Sequence, residues 1–293
     1  MLAIIGILLV FAAVVSGFLI EKGNIHVLFQ PAAFLMIVGA GAGTLLAANP
    51  AHILRGILDG LKSVLGRSKF NKQFHLDLLK MMYLLLTKVR KEGLLSVEMD
   101  VEEPAESAIF KGYPEFVKDE RACAFVCDTL RTAITGGVEP FDIDQMMEID
   151  MEVHHHGGLQ PASALTTVAD ALPGLGIVAA VLGVVITMGA LGGPPDEIGR
   201  KVAAALVGTF LGVLLCYGVA GPLSSNMCKI AEDHNNYLHV LRVILMSFLK
   251  GSAPMIAIEM GRRAIPAHVR PAFAEMEKHC KNHLAPAKPA TAA

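Results

Sequence analysis

Tryptophan is absent from the 293 residues, and four long apolar stretches hold no Asp, Glu, Lys, Arg or His. Without tryptophan, any membrane boundary must be marked by Phe, Tyr and flanking charge. The missing charge carries more weight. A membrane protein that moved ions unaided would keep a titratable or coordinating group at membrane depth. These stretches offer only small residues, a few threonines and two prolines. If they span a bilayer, something else must supply the charge. The five cysteines, Cys123, Cys127, Cys216, Cys228 and Cys280, are odd in number and scattered. Cys123 and Cys127 stand one helical turn apart, but no further Cys or His lies nearby to complete a metal site. They read as buried reduced thiols, which fits polar regions in the cytosol. No phosphate-binding glycine loop, metal quartet or nucleophile–base pair is evident, so enzymatic chemistry finds no support. A net charge of −2 points neither to nucleic acid nor to a uniformly basic lipid-binding surface.

With 53% hydrophobic residues, only 18% charged residues and a mean hydropathy of +0.52, the chain reads as an all-α polytopic membrane protein. The runs are residues 2–20, 27–48, 171–191 and 202–221, each near the ~20 residues a spanning helix needs. The first lacks a basic n-region and exceeds a signal-peptide core, so it is expected to be retained. Lys and Arg set the orientation. Between the first two runs stand only Glu21 and Lys22, whereas Arg55, Lys62, Arg67, Lys69 and Lys72 follow the second. Lys229, Arg242, Lys250, Arg262 and Arg263 follow the fourth. Arg200 and Lys201 run against the pattern, beside Asp196 and Glu197. The balance places both termini and the polar block in the cytoplasm. The expected organisation is residues 1–48 as spans one and two, 49–168 as a cytoplasmic helical loop, 169–222 as spans three and four, and 223–293 as a helical cytoplasmic tail.

Within the loop, residues 70–92 lack breakers and stop at Gly93, with cations toward the C-terminal end that complement the helix dipole. Asp119 is placed to cap a helix striped by Ala122, Phe125, Val126, Leu130, Ala133 and Ile134, ending at Gly136-Gly137. A third helix follows Pro140, with Asp142 and Gln145 spaced as a capping box. His154, His155 and His156 precede Gly157-Gly158 and read as a solvated helix end. Adjacent helical side chains diverge by ~100°, so the three do not converge on a metal. After the fourth run, Leu223, Met227, Ile230, His234, Tyr237, Leu241, Ile244 and Phe248 alternate at spacings of four and three, a coiled-coil-like seam ending near Gly251. The seam packs on its own polar block or on a neighbouring copy; His234 reads as a packing residue. The Ala285–Ala290 stretch, rich in Ala and Pro, reads as disordered.

Spans three and four are dense in small residues, which let helix backbones approach closely. They serve either packing within the chain or a helix-lined lumen that receives another protein's helix; the second is the stronger reading. Pro173 and Pro222 bracket the pair and mark either helix boundaries or hinges. Thr209 is a lone hydroxyl on an apolar face; such a residue commonly bonds back to its own helix.

The stretch Lys88-Val89-Arg90-Lys91-Glu92-Gly93-Leu94-Leu95-Ser96-Val97-Glu98, the run from Glu103-Pro104 to Tyr113-Pro114, and Leu172-Pro173 through Gly183-Val184 carry a specific resemblance. So do Val207-Gly208-Thr209-Phe210-Leu211-Gly212 through Pro222-Leu223 and Gly251-Ser252-Ala253-Pro254. Over nearly the whole chain they resemble the MotA family of bacterial flagellar motor stator proteins. That resemblance implies a pentameric ring in the inner membrane around two single-span MotB helices. A MotB aspartate facing spans three and four would supply the missing acid. Ion flow would turn the ring stepwise, and Arg90 and Glu98 would press on the rotor protein FliG. Pro173 and Pro222 would couple ion passage to movement. Sodium-type relatives have a threonine where this chain has Ala180, and Thr209 alone does not coordinate sodium, so protons are the expected ion and no cofactor is expected. Asp150 stands where some relatives have a glutamate, and its role stays open. The rival readings are an ExbB- or TolQ-like energising subunit, which usually has three spans, and a scaffold that conducts nothing.

Overall fold

The computed structural model describes residues 2–66, 69–189 and 192–282, and every regular element among them is helical. In chain order these are α1 (Leu2–Ile20), α2 (Ile25–Leu28), α3 (Pro31–Ala48), α4 (Ala51–Leu65), α5 (Lys72–Glu92), a 3-10 turn (Leu94–Val97), and α6 (Glu98–Glu102). A second 3-10 turn (Phe110–Gly112), α7 (Pro114–Lys118), α8 (Glu120–Thr135), α9 (Pro140–Met188) and α10 (Pro195–Leu215) follow. A π-helical segment (Cys216–Ala220) then leads into α11 (Gly221–Leu249), α12 (Pro254–Ala264) and α13 (Phe273–Lys281). Four helical stretches are long and apolar enough to cross a membrane: Leu2–Ile20, Ile25–Ala48, and parts of Pro140–Met188 and Pro195–Leu249. The all-α, four-span expectation therefore holds. Arg67, Leu191 and the 285–290 stretch lie outside the described residues.

Packing divides the chain into two compact units, residues 1–67 with 156–231 and residues 68–155 with 232–293. This partition follows contacts, whereas the expected segment bounds follow polarity. The first unit buries Ile37, Ala169, Leu172, Ala179 and Cys216 together, with Ile53, Ile57 and Ala164 in a second cluster. Helix α4, which the sequence reading did not single out, belongs here. Its amphipathic face buries Ile53, Ile57 and Val64, and Gly56 sits so close to α9 that an added Cβ would lie 2.6 Å from Pro161 Cγ.

The second unit is built around α5, where Leu79, Met82, Leu85 and Leu86 are fully buried. Each such side chain contributes about 1.5–3 kcal/mol of transfer free energy. Asn71 caps α5 by accepting the Phe74 N–H at 2.9 Å, and Gly93 ends it at φ 88°, a conformation that favours glycine. Asp119 caps α8 through the Ala122 N–H at 3.3 Å, and Gly136 closes it at φ 78°. Cys123 and Cys127 are free and buried on this helix; a hydrogen bond donated to Cys123 and burial push the Cys127 thiol up, away from thiolate chemistry.

Three expectations need correction. Helix α9 begins at Pro140, so Asp142 lies inside the first turn, its N–H bonded to Glu139 O at 3.0 Å, and does not form the N-cap of a capping box. The helix does not end at the histidine triplet. It continues through Gly157, Gly158, Pro161 and Pro173 to Met188. The intrinsic cost of two interior glycines, about 1 kcal/mol each, does not end the helix, which packs along this stretch on Gly56 through Pro161 and beside Ala231 at Gly158. His234 is more than a packing residue, since its Nε2 lies 3.2 Å from Asp119 Oδ2 and ties α11 to the N-cap of α8. Burial pushes the Asp119 carboxyl up, but His234 and the Ala122 N–H outweigh it and hold the group below its usual range. The α11 seam packs within its own chain: Met227 joins the first unit's core, and Tyr237, Leu241, Ile244 and Phe248 that of the second.

Candidate functional site

Two groups of residues stand out, one on the membrane helices and one after α5. In the first, α9 and α10 touch backbone to backbone. A Cβ on Gly212 would lie 2.5 Å from Leu172 O, one on Gly176 2.8 Å from Gly208 O, and one on Gly183 2.6 Å from Ala205 Cβ. On Gly208 it would lie 3.2 Å from both Ala179 Cβ and Ala180 N. Four glycines are thus consumed by contact between the third and fourth spans. The small residues do not serve a lumen at these positions, because a side chain there would drive the helices apart. Gly174 is different, since nothing lies within 4 Å of its Cβ position.

This seam gathers three of the residues expected to act in the ion path. Ala180 N borders Gly208, the Thr209 Cα lies 3.3 Å from the Gly176 Cβ position, and Pro173 follows Leu172, whose carbonyl meets Gly212. Thr209 departs from the expectation that it bonds to its own helix. Thr187 and Thr166 both donate to the carbonyl four residues back, at 2.8 and 3.1 Å, whereas the half-buried Thr209 hydroxyl has no such bond among the described residues. It is a free polar atom on an otherwise apolar surface. Beside it the pair presents Ile177, Val181, Val185 and Leu206, each more than half exposed.

Pro222 stands apart from the seam, exposed in the first turn of α11, directly after the π-helical segment. Residue spacing does not announce that segment, although its cause is visible in the chain. Proline has no N–H to give, and its ring crowds the carbonyl four residues earlier, at Gly218. A widened turn relieves the crowding; Gly221 donates to Cys216 O across it. Gly218 also receives α1, an added Cβ lying 3.0 Å from Val10 Cγ1.

The second group surrounds Gly93. Arg90 sits in the last turn of α5 and Glu98 opens α6; both are exposed, and neither has an ion-pair partner among the described residues. Leu95 and Met99, 68% and 72% exposed, add apolar surface to the same segment. What holds it in place was missed in the sequence. Buried Asp100 takes Lys88 Nζ at 2.7 Å and the Ser107 hydroxyl at 2.5 Å, and Ser107 Oγ in turn accepts the N–H groups of Ile109 and Phe110 at 3.2 Å. An Asp two residues after Glu98 and a Ser seven later form no recognisable spacing, because the turns between them set the geometry.

Asp150 pairs with His154 at 3.1 Å on one face of α9. His155 Nδ1 is buried without a hydrogen bond, and the triplet does not converge. Among the described residues no three His, Cys, Asp or Glu side chains gather as a metal site requires.

Comparison with known proteins bears on the whole chain. Residues 4–93 match the family model for the motility protein A N-terminal region, and residues 118–238 that of the MotA/TolQ/ExbB proton channel family. Motility protein A of Escherichia coli (strain K12) is 39% identical over 281 residues, 96% of this chain and 95% of that protein. Chemotaxis protein LafT of Vibrio parahaemolyticus is 33% identical over 94% of this chain and 96% of its own length. Among solved structures, MotAB of C. jejuni aligns with a TM-score of 0.74 at 18% identity, covering 90% of this chain and 95% of that one. The flagellar MotAB stator complex of Bacillus subtilis aligns at 0.71 and 23% identity, with the same coverage. These two likenesses establish the fold.

Gly212→Ala is expected to destabilise the chain by about 1–3 kcal/mol through overpacking, read as a lower melting temperature in detergent, while Gly174→Ala leaves it unchanged. Asp100→Ala is expected to raise amide exchange across residues 94–112 at least ~10-fold, because it strands Lys88 and Ser107; unchanged exchange would show that the network does not hold the segment.

Proposed function

The chain belongs to the motility protein A family, and we propose that, as a multi-pass stator subunit of the flagellar motor, it couples proton flow to torque together with a MotB partner. The observation that carries this reading is the uncharged α9–α10 seam with its unbonded Thr209 hydroxyl, bordered by exposed apolar side chains. Such a surface conducts nothing by itself; it needs an acid brought by a second polypeptide. In this reading a single-span MotB helix carries an aspartate to the seam, in the bacterial inner membrane, with both termini of this chain cytoplasmic. Five copies surround two MotB helices. The aspartate takes up a proton from one side and releases it to the other, and its change of charge alters which face of the apolar ring it prefers. Pro173 and Pro222 are the points where α9 and the start of α11 yield. Both helices contribute residues to both compact units.

Arg90 and Glu98 are the charges offered to the rotor protein FliG. Their exposure and lack of partners support this, because neither must break an internal pair to engage. Exposed pairs are worth about 0–1 kcal/mol each, suited to contacts made and released at every step. A proton crossing 100 mV releases about 2.3 kcal/mol, enough to reset several of them. Ala180 removes an oxygen that a sodium site would use, and a lone Thr209 hydroxyl falls short of the several ligands that sodium requires, which favours protons. The relatives, alike over nearly their full length, favour this function over an ExbB- or TolQ-like energiser and over a passive scaffold.

Arg90→Glu is expected to lower swimming speed severely while membrane assembly with MotB stays normal, and a compensating charge reversal on the rotor restores it. Full torque in the single variant would remove the rotor contact from this reading. Swimming is expected to collapse with a protonophore and to persist when sodium is replaced by potassium; the reverse dependence would reject the proton.

A further inference from the structure

Beyond the motor reading, the second unit contains a cavity that torque generation does not use. Its volume is about 830 Å³, lined on its apolar side by Phe74, Met81, Leu84 and Phe116. This falls within the range of about 300–1,000 Å³ typical of small-molecule sites, which are largely apolar with a few polar groups that orient the ligand. The polar groups here have a definite character. Lys69 and Lys80 line the cavity, and neither has an ion-pair partner among the described residues. Tyr113 lines it as well, and burial, followed by the nearby Asp77, pushes its hydroxyl up to about 12, so it remains a proton donor. The carboxylate of Asp77 is already engaged, by His279 at 3.0 Å and Gln73 at 3.1 Å. Glu115 is exposed and solvated.

The wall also contains Tyr237, 1% exposed, whose hydroxyl is buried with no hydrogen-bond partner. Phe70, Phe74 and His234 pack on Tyr237 at centroid distances of 5.5, 5.1 and 5.9 Å. The hydroxyl is closed off from the cavity as well, so what Tyr237 gives the wall is apolar ring.

We propose that this cavity, between Lys69–Leu84 and Ala108–Phe116 with Tyr237 in its wall, binds an amphipathic carboxylate, its apolar body among the Phe and Met side chains and its anionic head on Lys69, Lys80 and the Tyr113 hydroxyl. The occupant is a monocarboxylic acid with an aliphatic body of about ten carbons, small enough for the cavity and matched to its donors.

The test uses the full chain in lipid nanodiscs with a diazirine-bearing decanoate, irradiated and mapped by peptide mass spectrometry. Adducts are expected on peptides covering residues 69–84 and 108–116, and a hundredfold excess of unlabelled decanoate removes them. Lys80→Gln reduces this labelling at least threefold, whereas Lys111→Gln, whose ion pair with Glu106 lies outside the cavity lining, leaves it unchanged. Lys80 has no ion pair to lose among the described residues, so loss of folding does not confound its replacement, and competition on the unaltered chain needs no variant. Labelling confined to the four apolar spans would overturn the proposal. So would cavity labelling that survives competition, or that Lys80→Gln leaves intact.

Discussion

The approach of α9 to α10 at near-backbone distance is the constraint on which the rest of the membrane part depends. Lipid tails are as apolar as leucine, so helices in a bilayer gain little from hiding hydrophobic side chains and must gain from close fit. Gly176, Gly183, Gly208 and Gly212 provide that fit. With their glycine faces locked together, the two helices turn their larger side chains, such as Val181 and Leu206, outward. The functional surface follows from the packing: it is what remains once the glycines have been spent. Ala180 and Thr209 lie at the edge of this contact, which leaves few polar atoms free there.

A different logic governs the charged segment after α5. There the side chains proposed to meet the rotor are exposed and unpaired, and the stabilising contacts lie one layer beneath them, in Lys88, Asp100 and Ser107. A buried carboxylate that receives an ammonium and a hydroxyl fixes two turns that contain little regular structure. Arg90 and Glu98 can then be presented at fixed positions without being committed to one another. Weak contacts with a partner require this separation between the groups that hold and the groups that touch.

Much of this was legible in the chain. The four spans follow from apolar length, the cap at Asp119 and the stops at Gly93, Gly136 and Gly251 from local backbone chemistry, and the α11 seam from its spacing. What escaped was governed by distant partners. Gly157-Gly158 and Pro161 look like a helix terminus, but α9 runs through them because α4 and α11 pack against that stretch, through Gly56 and Ala231. The Asp119–His234 pair joins residues 115 positions apart, so no window along the sequence contains it. The glycines were legible as packing residues, but not which of them face the neighbouring span, because composition does not say which neighbour a small residue meets. Among the candidate site residues, Pro173, Ala180 and Thr209 converge on one seam and Pro222 lies beyond it; spacing alone could not separate them.

The π-helical segment at Cys216–Ala220 has one more implication. It inserts one extra residue into a single turn, and each helical residue advances the azimuth by about 100°. The phase of everything after it is therefore offset by that angle relative to a regular helix. Leu223, Met227 and Tyr237 meet their cores only with this offset in place. The bulge acts as an indexing tooth, and a one-residue deletion inside it would leave the α11 sequence intact while turning its apolar stripe away from the partners it was matched to.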